Sequence, residues 1–134
     1  MSGTLVDSNI LLDIITDDPV WGAWSSRMLA QCANDGPLYI NPLIYAEVSI
    51  SFTAIEDVEH AVPASEFIRL PLSLDAAFLA GKAFVRYRQL GGTRLSTLPD
   101  FFIGAHAATT GLSLLTRDAS RYTTYFPTLE VIAP

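Results

Sequence analysis

Cysteine is almost missing from this sequence: Cys32 is the single one in 134 residues. An intramolecular disulfide is therefore impossible, and a thiolate metal cluster is excluded. A reducing, cytoplasmic setting is the simplest expectation. Histidine is scarce as well, with two copies, and Lys82 is the only lysine. No apolar run approaches the roughly 18 residues needed to cross a bilayer, so no membrane association is expected. A secretion signal is not expected either. No basic segment precedes an apolar stretch at the N-terminus, and Asp7 interrupts the only candidate.

Basic charge is in short supply overall, with a net charge of −6. That balance argues against simple electrostatic binding of nucleic acid. The distribution of charge along the chain weakens this objection. Up to residue 81 there are two basic and eleven acidic side chains; from Lys82 onward there are six basic and three acidic ones. The later part, with Lys82, Arg86, Arg88, Arg94, Arg117 and Arg121, can grip a phosphate backbone locally.

What the chain does have is apolar substance, 50% of its residues, enough for one domain spanning 1–134 with a buried core. No repeat, low-complexity stretch or linker divides it. Short apolar runs read as strands: Thr4–Val6, Leu38–Ile40, Phe67–Leu70, Leu112–Thr116 and Leu129–Ile132. Between them lie helical patterns. One starts after Asp7-Ser8-Asn9, and another follows Asp17-Asp18-Pro19 from Val20 to Ala33. Asn41-Pro42 launches a third from Leu43 to about Thr53, and Glu56–Ala61 is short. Ser73 caps a long one reaching Leu90 before Gly91-Gly92, and Leu98-Pro99-Asp100 opens the last, Phe101 to about Thr110. Alternating strands and helices imply right-handed crossovers and a mostly parallel sheet covered on both faces. Sites in such sheets form at the carboxyl ends of the strands.

Four acids are placed to meet there. Asp7 and Asp118 each directly follow a strand, although taken alone a helix cap accounts for Asp7 equally well and a turn residue accounts for Asp118 better. Asp100 opens a helix, where interaction with the helix dipole is the bland explanation. Glu47 is the most telling. Its same-face neighbours Leu43, Ile44, Ile50 and Ser51 make an inward-facing stripe, so its carboxylate needs a partner, either a structural ion pair or a metal. Like charges converging on one edge repel unless a cation neutralises them. Mg2+ or Mn2+ suits an all-oxygen set, and such ions support phosphodiester hydrolysis by activating water.

With those residues in view, the sequence resembles the PIN-domain ribonucleases, most closely VapC-type toxins of toxin–antitoxin pairs. The matching pieces are Val6-Asp7-Ser8-Asn9-Ile10-Leu11-Leu12-Asp13, Tyr45-Ala46-Glu47-Val48 and Leu98-Pro99-Asp100-Phe101-Phe102-Ile103-Gly104-Ala105-His106-Ala107. Leu115-Thr116-Arg117-Asp118 follows, then Arg121-Tyr122 and Tyr125-Phe126-Pro127. The resemblance implies a three-layer α/β/α PIN-like fold and Mg2+- or Mn2+-dependent endoribonuclease activity, with Asp7, Glu47, Asp100 and Asp118 at the acidic positions. It implies supporting roles for Ser8, Asn9 and Thr116, and the least direct metal contact for Asp118. A small antitoxin placing a basic side chain near the acids, and a homodimer, belong to the same expectation.

Arg86, Arg94, Arg117 and Arg121 are the candidate RNA contacts, weighed against solvation and local ion pairs. His106 reads as packed or hydrogen-bonded, and Asp13 as a helix cap or solvated acid. Trp21, Trp24, Tyr39 and Tyr45 read as core or interface aromatics. A receiver-like phosphotransfer domain would want a late lysine, which is missing; a haloacid-dehalogenase-type phosphatase would want Asp-x-Asp where Asp7-Ser8-Asn9 stands. The remaining alternative is a non-catalytic PIN-fold binding module.

Overall fold

The computed structural model describes residues 2–134. Strand β1 (Thr4–Val6) is entirely buried and lies at the centre of a five-stranded sheet. On one side it pairs with β2 (Leu38–Ile40), which pairs with β3 (Phe67–Arg69); on the other it pairs with β4 (Ser113–Leu115), followed by β5 (Val131–Ile132). Every pairing is parallel, so the sheet is wholly and not merely mostly parallel. Strands buried on both faces require helical cover on both, which explains why Leu5, Val6, Ile40, Leu114 and Leu115 have no exposed surface. Among the described residues no helix is long and apolar enough to cross a membrane.

Right-handed crossovers place α1 (Ser8–Ile15), α2 (Gly22–Asp35), α3 (Pro42–Ser49) and α4 (Ile55–Ala61) on one face. After β3 the chain returns past β1 to β4. That reversal puts α5 (Leu74–Gln89), α6 (Pro99–Thr110) and α7 (Ser120–Tyr125) on the other face, giving the expected three α/β/α layers. The strand order therefore changes direction between β1 and β4, and the carboxyl ends of these strands are where open parallel sheets place a binding crevice.

The helix boundaries follow local chemistry. Asn41 caps α3 through Ile44 N–H at 2.9 Å, with Pro42 in the first turn. Ser73 caps α5 through Ala76 N–H at 3.1 Å, and Gly111 (φ 70°) ends α6 in the left-handed conformation. Two helices depart from the expected bounds, α2 displaced by two residues to end at Asp35 and α3 shortened. Helix α2 begins at Gly22 and not Val20, because the Asp18 carboxylate holds the amides of Val20 and Trp21 in a preceding turn. Helix α3 stops at Ser49 and not near Thr53, since Ile50, Ser51 and Phe52 bond three residues back in tight turns. Helix α7 was not anticipated. It presses Tyr122 and Phe126 onto α6 at Gly104, where a Cβ would collide with the Phe126 ring and meet Tyr122 Cδ1 at 3.0 Å.

Candidate active site

The crevice beyond β1 and β4 is built on Asp7. The residue leaves β1 in extended conformation and caps α1, its Oδ1 accepting from Ser8 N–H at 2.7 Å. Its Oδ2 accepts from the hydroxyls of Thr116 (2.9 Å) and Tyr122 (2.8 Å). With only 4% of its surface exposed, Asp7 is a buried carboxylate held by uncharged donors. Burial pushes its pKa up and the charge of Asp100 adds to that, while the bonds from Tyr122, Thr116 and Ser8 pull the other way.

Glu47 approaches from α3, and Ser8 Oγ donates to its Oε1 at 3.1 Å. Burial raises its pKa first, and the charges of Asp7 and Asp100 raise it further against the Ser8 bond. The stripe expected around it is different in detail. Ile44 and Val48 are buried, but Ile50 is 85% exposed because the helix ends before it. Glu47 thus sits at the margin of the buried face, half-buried and open to the crevice.

Asp100, in the first turn of α6, faces the same space. Its Oδ1 lies 3.3 Å from the Tyr122 hydroxyl and its Oδ2 3.3 Å from Arg121 Nη1. Tyr122 therefore stands between two carboxylates. Burial and the charges of Asp7 and Asp100 drive its phenol far above the usual range, so it stays protonated as a donor. This residue was missed as a site component. The available signal was its spacing to Phe126, four residues on, which marks an inward face on a short helix; a buried tyrosine then needs a partner for its hydroxyl.

Asp118 does not join the three. Its carboxylate is exposed, and Oδ1 accepts from Ser120 N–H (3.3 Å) and Oγ (3.0 Å) at the start of α7. The turn reading describes what its side chain does here. Thr116 links the parts: besides donating to Asp7, its hydroxyl accepts from Asn9 Nδ2 (3.2 Å) and from Asp118 N–H (3.2 Å). Asn9 also accepts from Arg117 N–H at 3.1 Å, so it braces the β4–α7 loop and reaches Asp7 only through Thr116.

Of the candidate arginines, Arg117 is committed elsewhere. It forms a forked pair with Asp13 (2.9 and 3.0 Å) over the Trp21 ring, and Ser25 donates to the same acid at 2.8 Å. Asp13 is 3% exposed, so it is neither a solvated acid nor a cap but the buried half of an ion pair. Arg86 and Arg94 are exposed and form no ion pair among the described residues. His106 is buried with Nδ1 at 3.0 Å from Asn41 Nδ2; burial lowers its pKa, which keeps it neutral. It fastens α6 to the start of α3. Trp21 packs edge-on to Trp24 and Tyr39 is in the core, whereas Tyr45 bonds Glu59 at the surface of α4.

As they stand, no three carboxylate, histidine or cysteine side chains among the described residues close around one point tightly enough to hold an ion. The chemistry of the donors nevertheless fits a divalent cation. Asp7, Glu47 and Asp100 supply hard oxygen ligands only, and burial and neighbouring negative charge push the pKa values of the two more buried ones up. A cation in the crevice would reverse both effects.

Comparison with known proteins agrees with this architecture. Solved structures that are similar include VapBC2 from Rickettsia felis bound to a promoter DNA fragment, at TM-score 0.76 and 18% identity. It is covered over 99% of its length by 100% of this chain. VapBC-1 from nontypeable Haemophilus influenzae matches at TM-score 0.75 and 16% identity over 99% of this chain and 98% of its own. A toxin–antitoxin complex from Klebsiella pneumoniae matches at 0.69 and 22%, over 97% and 96%. No curated protein sequence is significantly similar. The PIN domain model matches residues 4–126, from β1 through the residue that follows α7, so the chain belongs to the PIN-domain family.

Proposed function

We propose that this chain is a divalent-metal-dependent endoribonuclease of the VapC toxin type, hydrolysing RNA phosphodiester bonds. The observation that carries the proposal is the grouping of Asp7, Glu47 and Asp100 at the switch point of a parallel sheet, where each raises or feels the charge of another. PIN domains generally use divalent metal ions, and Mg2+ or Mn2+ is the ion these oxygen donors suit. Such an ion, when bound, supplies Lewis acidity and a nucleophilic water. The protein's own contribution is positional. Tyr122 and Thr116 fix the Asp7 carboxylate, Ser8 ties Asp7 to Glu47, and Asn9 locks Thr116 in place. Asp118 braces the loop after β4 and acts through it. RNA runs from the acids past Arg121 toward the exposed Arg86 and Arg94, which lie on the basic part of the chain.

The similar VapBC and toxin–antitoxin structures support a small antitoxin as the partner, and a homodimer is part of the same reading. A second reading, a PIN-fold module that binds without cutting, is favoured by one observation: the acids are not closed around a common point. Incubating the purified protein, free of antitoxin, with single-stranded RNA separates the two. The nuclease reading expects internal cleavage with Mn2+ or Mg2+ and none with chelator. RNA left intact at every metal concentration, by folded protein that also binds no Mn2+, favours the binding module.

A further inference from the structure

Among the described residues Arg121 is the only basic side chain paired with one of the three inner acids. The contact is long, 3.3 Å from Nη1 to Asp100 Oδ2, and open, with the two side chains 39% and 38% exposed. Pairs of this kind are weak and sensitive to salt. The guanidinium rests over the Phe101 and Tyr87 rings, 5.8 and 5.9 Å from their centroids. That aromatic shelf keeps the cation beside Asp100 without fastening it to one oxygen. The other Asp100 oxygen has only the Tyr122 hydroxyl at 3.3 Å, a donor that lies closer to Asp7.

We propose that Arg121 is an exchangeable counter-ion. It neutralises Asp100 in the free protein and passes to an RNA phosphate when a divalent cation takes the Asp100 carboxylate; this rests on the metal-nuclease reading. Two charges drive the exchange. A divalent ion at Asp100 repels the guanidinium, and a phosphodiester offers it a pair of oxygens that match its fork. Arg121 consequently opposes cation binding before RNA arrives and supports RNA binding throughout. Because the two events share one side chain, each strengthens the other by the same factor. An arginine with a merely structural role would not shift cation and RNA affinity in opposite directions.

The test is calorimetric titration of the full chain with Mn2+, without RNA. Arg121→Gln is expected to bind the ion about two- to fivefold more tightly than the wild type, the range that exposed ion pairs span. Arg121→Lys, which keeps the charge, stays near the wild type. Arg27→Gln, which removes an equal charge from α2, also stays near it, which separates the local pair from net charge. With chelator present, Arg121→Gln is expected to bind a short single-stranded RNA more weakly and to lower the salt slope by about one. If the wild type binds Mn2+ but Arg121→Gln binds it equally or less well, the exchange is overturned and the nuclease reading stands. If the wild type binds no Mn2+, the nuclease reading falls and the exchange with it.

Discussion

The Tyr122→Phe substitution isolates the bond that joins α7 to the acidic centre. The ring keeps its place against Gly104 and Phe126, so no cavity forms. What disappears is the donor at 2.8 Å from Asp7 Oδ2 and 3.3 Å from Asp100 Oδ1. Asp7 is then left with Ser8 N–H and the Thr116 hydroxyl inside a nearly closed environment. A hydrogen bond to a charged group contributes about 1.5–3 kcal/mol, so a loss of about 2 kcal/mol is expected at pH 8. In a domain of this size that lowers Tm by roughly 6–10 °C. Burial pushes the Asp7 carboxyl up, so it takes up a proton sooner than an ordinary carboxyl as pH falls, and the cost shrinks with it. A double-mutant cycle identifies the partner. In an Asp7→Asn background the same substitution costs less than about 1 kcal/mol, because only a neutral bond is lost. Equal costs in the two backgrounds, by denaturant unfolding at pH 8, would refute the assigned bond.

Other consequences reach beyond the acids. Arg117→Ala strands the buried Asp13 carboxylate with Ser25 as its remaining side-chain donor. A cost of about 2 kcal/mol is expected, below the usual value for a fully buried pair because the guanidinium is one-third exposed, and RNA affinity should barely move. A large loss of RNA binding with unchanged stability would contradict this. His106 makes stability pH-dependent with a definite sign. Its folded pKa is lowered by burial, so the unfolded chain takes up a proton first as pH falls through about 6.5. The part of the stability that His106 controls should therefore decline between pH 7.5 and 5, against the opposite contribution of the raised Asp7 and Glu47. The difference between wild type and His106→Gln isolates it, and identical slopes would rule out the neutral buried ring.

Much of the fold was legible because strand and helix signals here are short but unambiguous. Thr4–Val6 and Leu38–Ile40 match their strands to the residue, and Ser73 and Asn41 cap the helices expected of them. Helix α7 was not legible. Six residues, Ser120 to Tyr125, carry too little periodicity to announce a helix, and it forms because Tyr122 and Phe126 find the gap at Gly104. Asp7 stood out from a strand end, Asp100 from a helix start and Glu47 from the apolar neighbours on its helix face, and the topology then brings the three to one edge. Asp118 shared the same local pattern as Asp7. Only three-dimensional contacts show that its side chain turns to Ser120 and not to the crevice. The roles of Arg117 and Asp13 depend on a contact across more than 100 residues, which local patterns do not encode.

The most direct test of the metal-nuclease site is single-turnover RNA cleavage with saturating Mn2+ by the wild type and by Asp7→Asn, Glu47→Gln, Asp100→Asn and Asp118→Asn. Substituting any of the first three is expected to lower the rate on the order of 100-fold or more, as for loss of a group that stabilises the transition state directly. Asp118→Asn is expected to lose far less, since its carboxylate holds a turn. Cleavage at near wild-type rates by Asp7→Asn or Asp100→Asn, or a loss in Asp118→Asn as deep as in Asp7→Asn, would contradict this assignment of the acids.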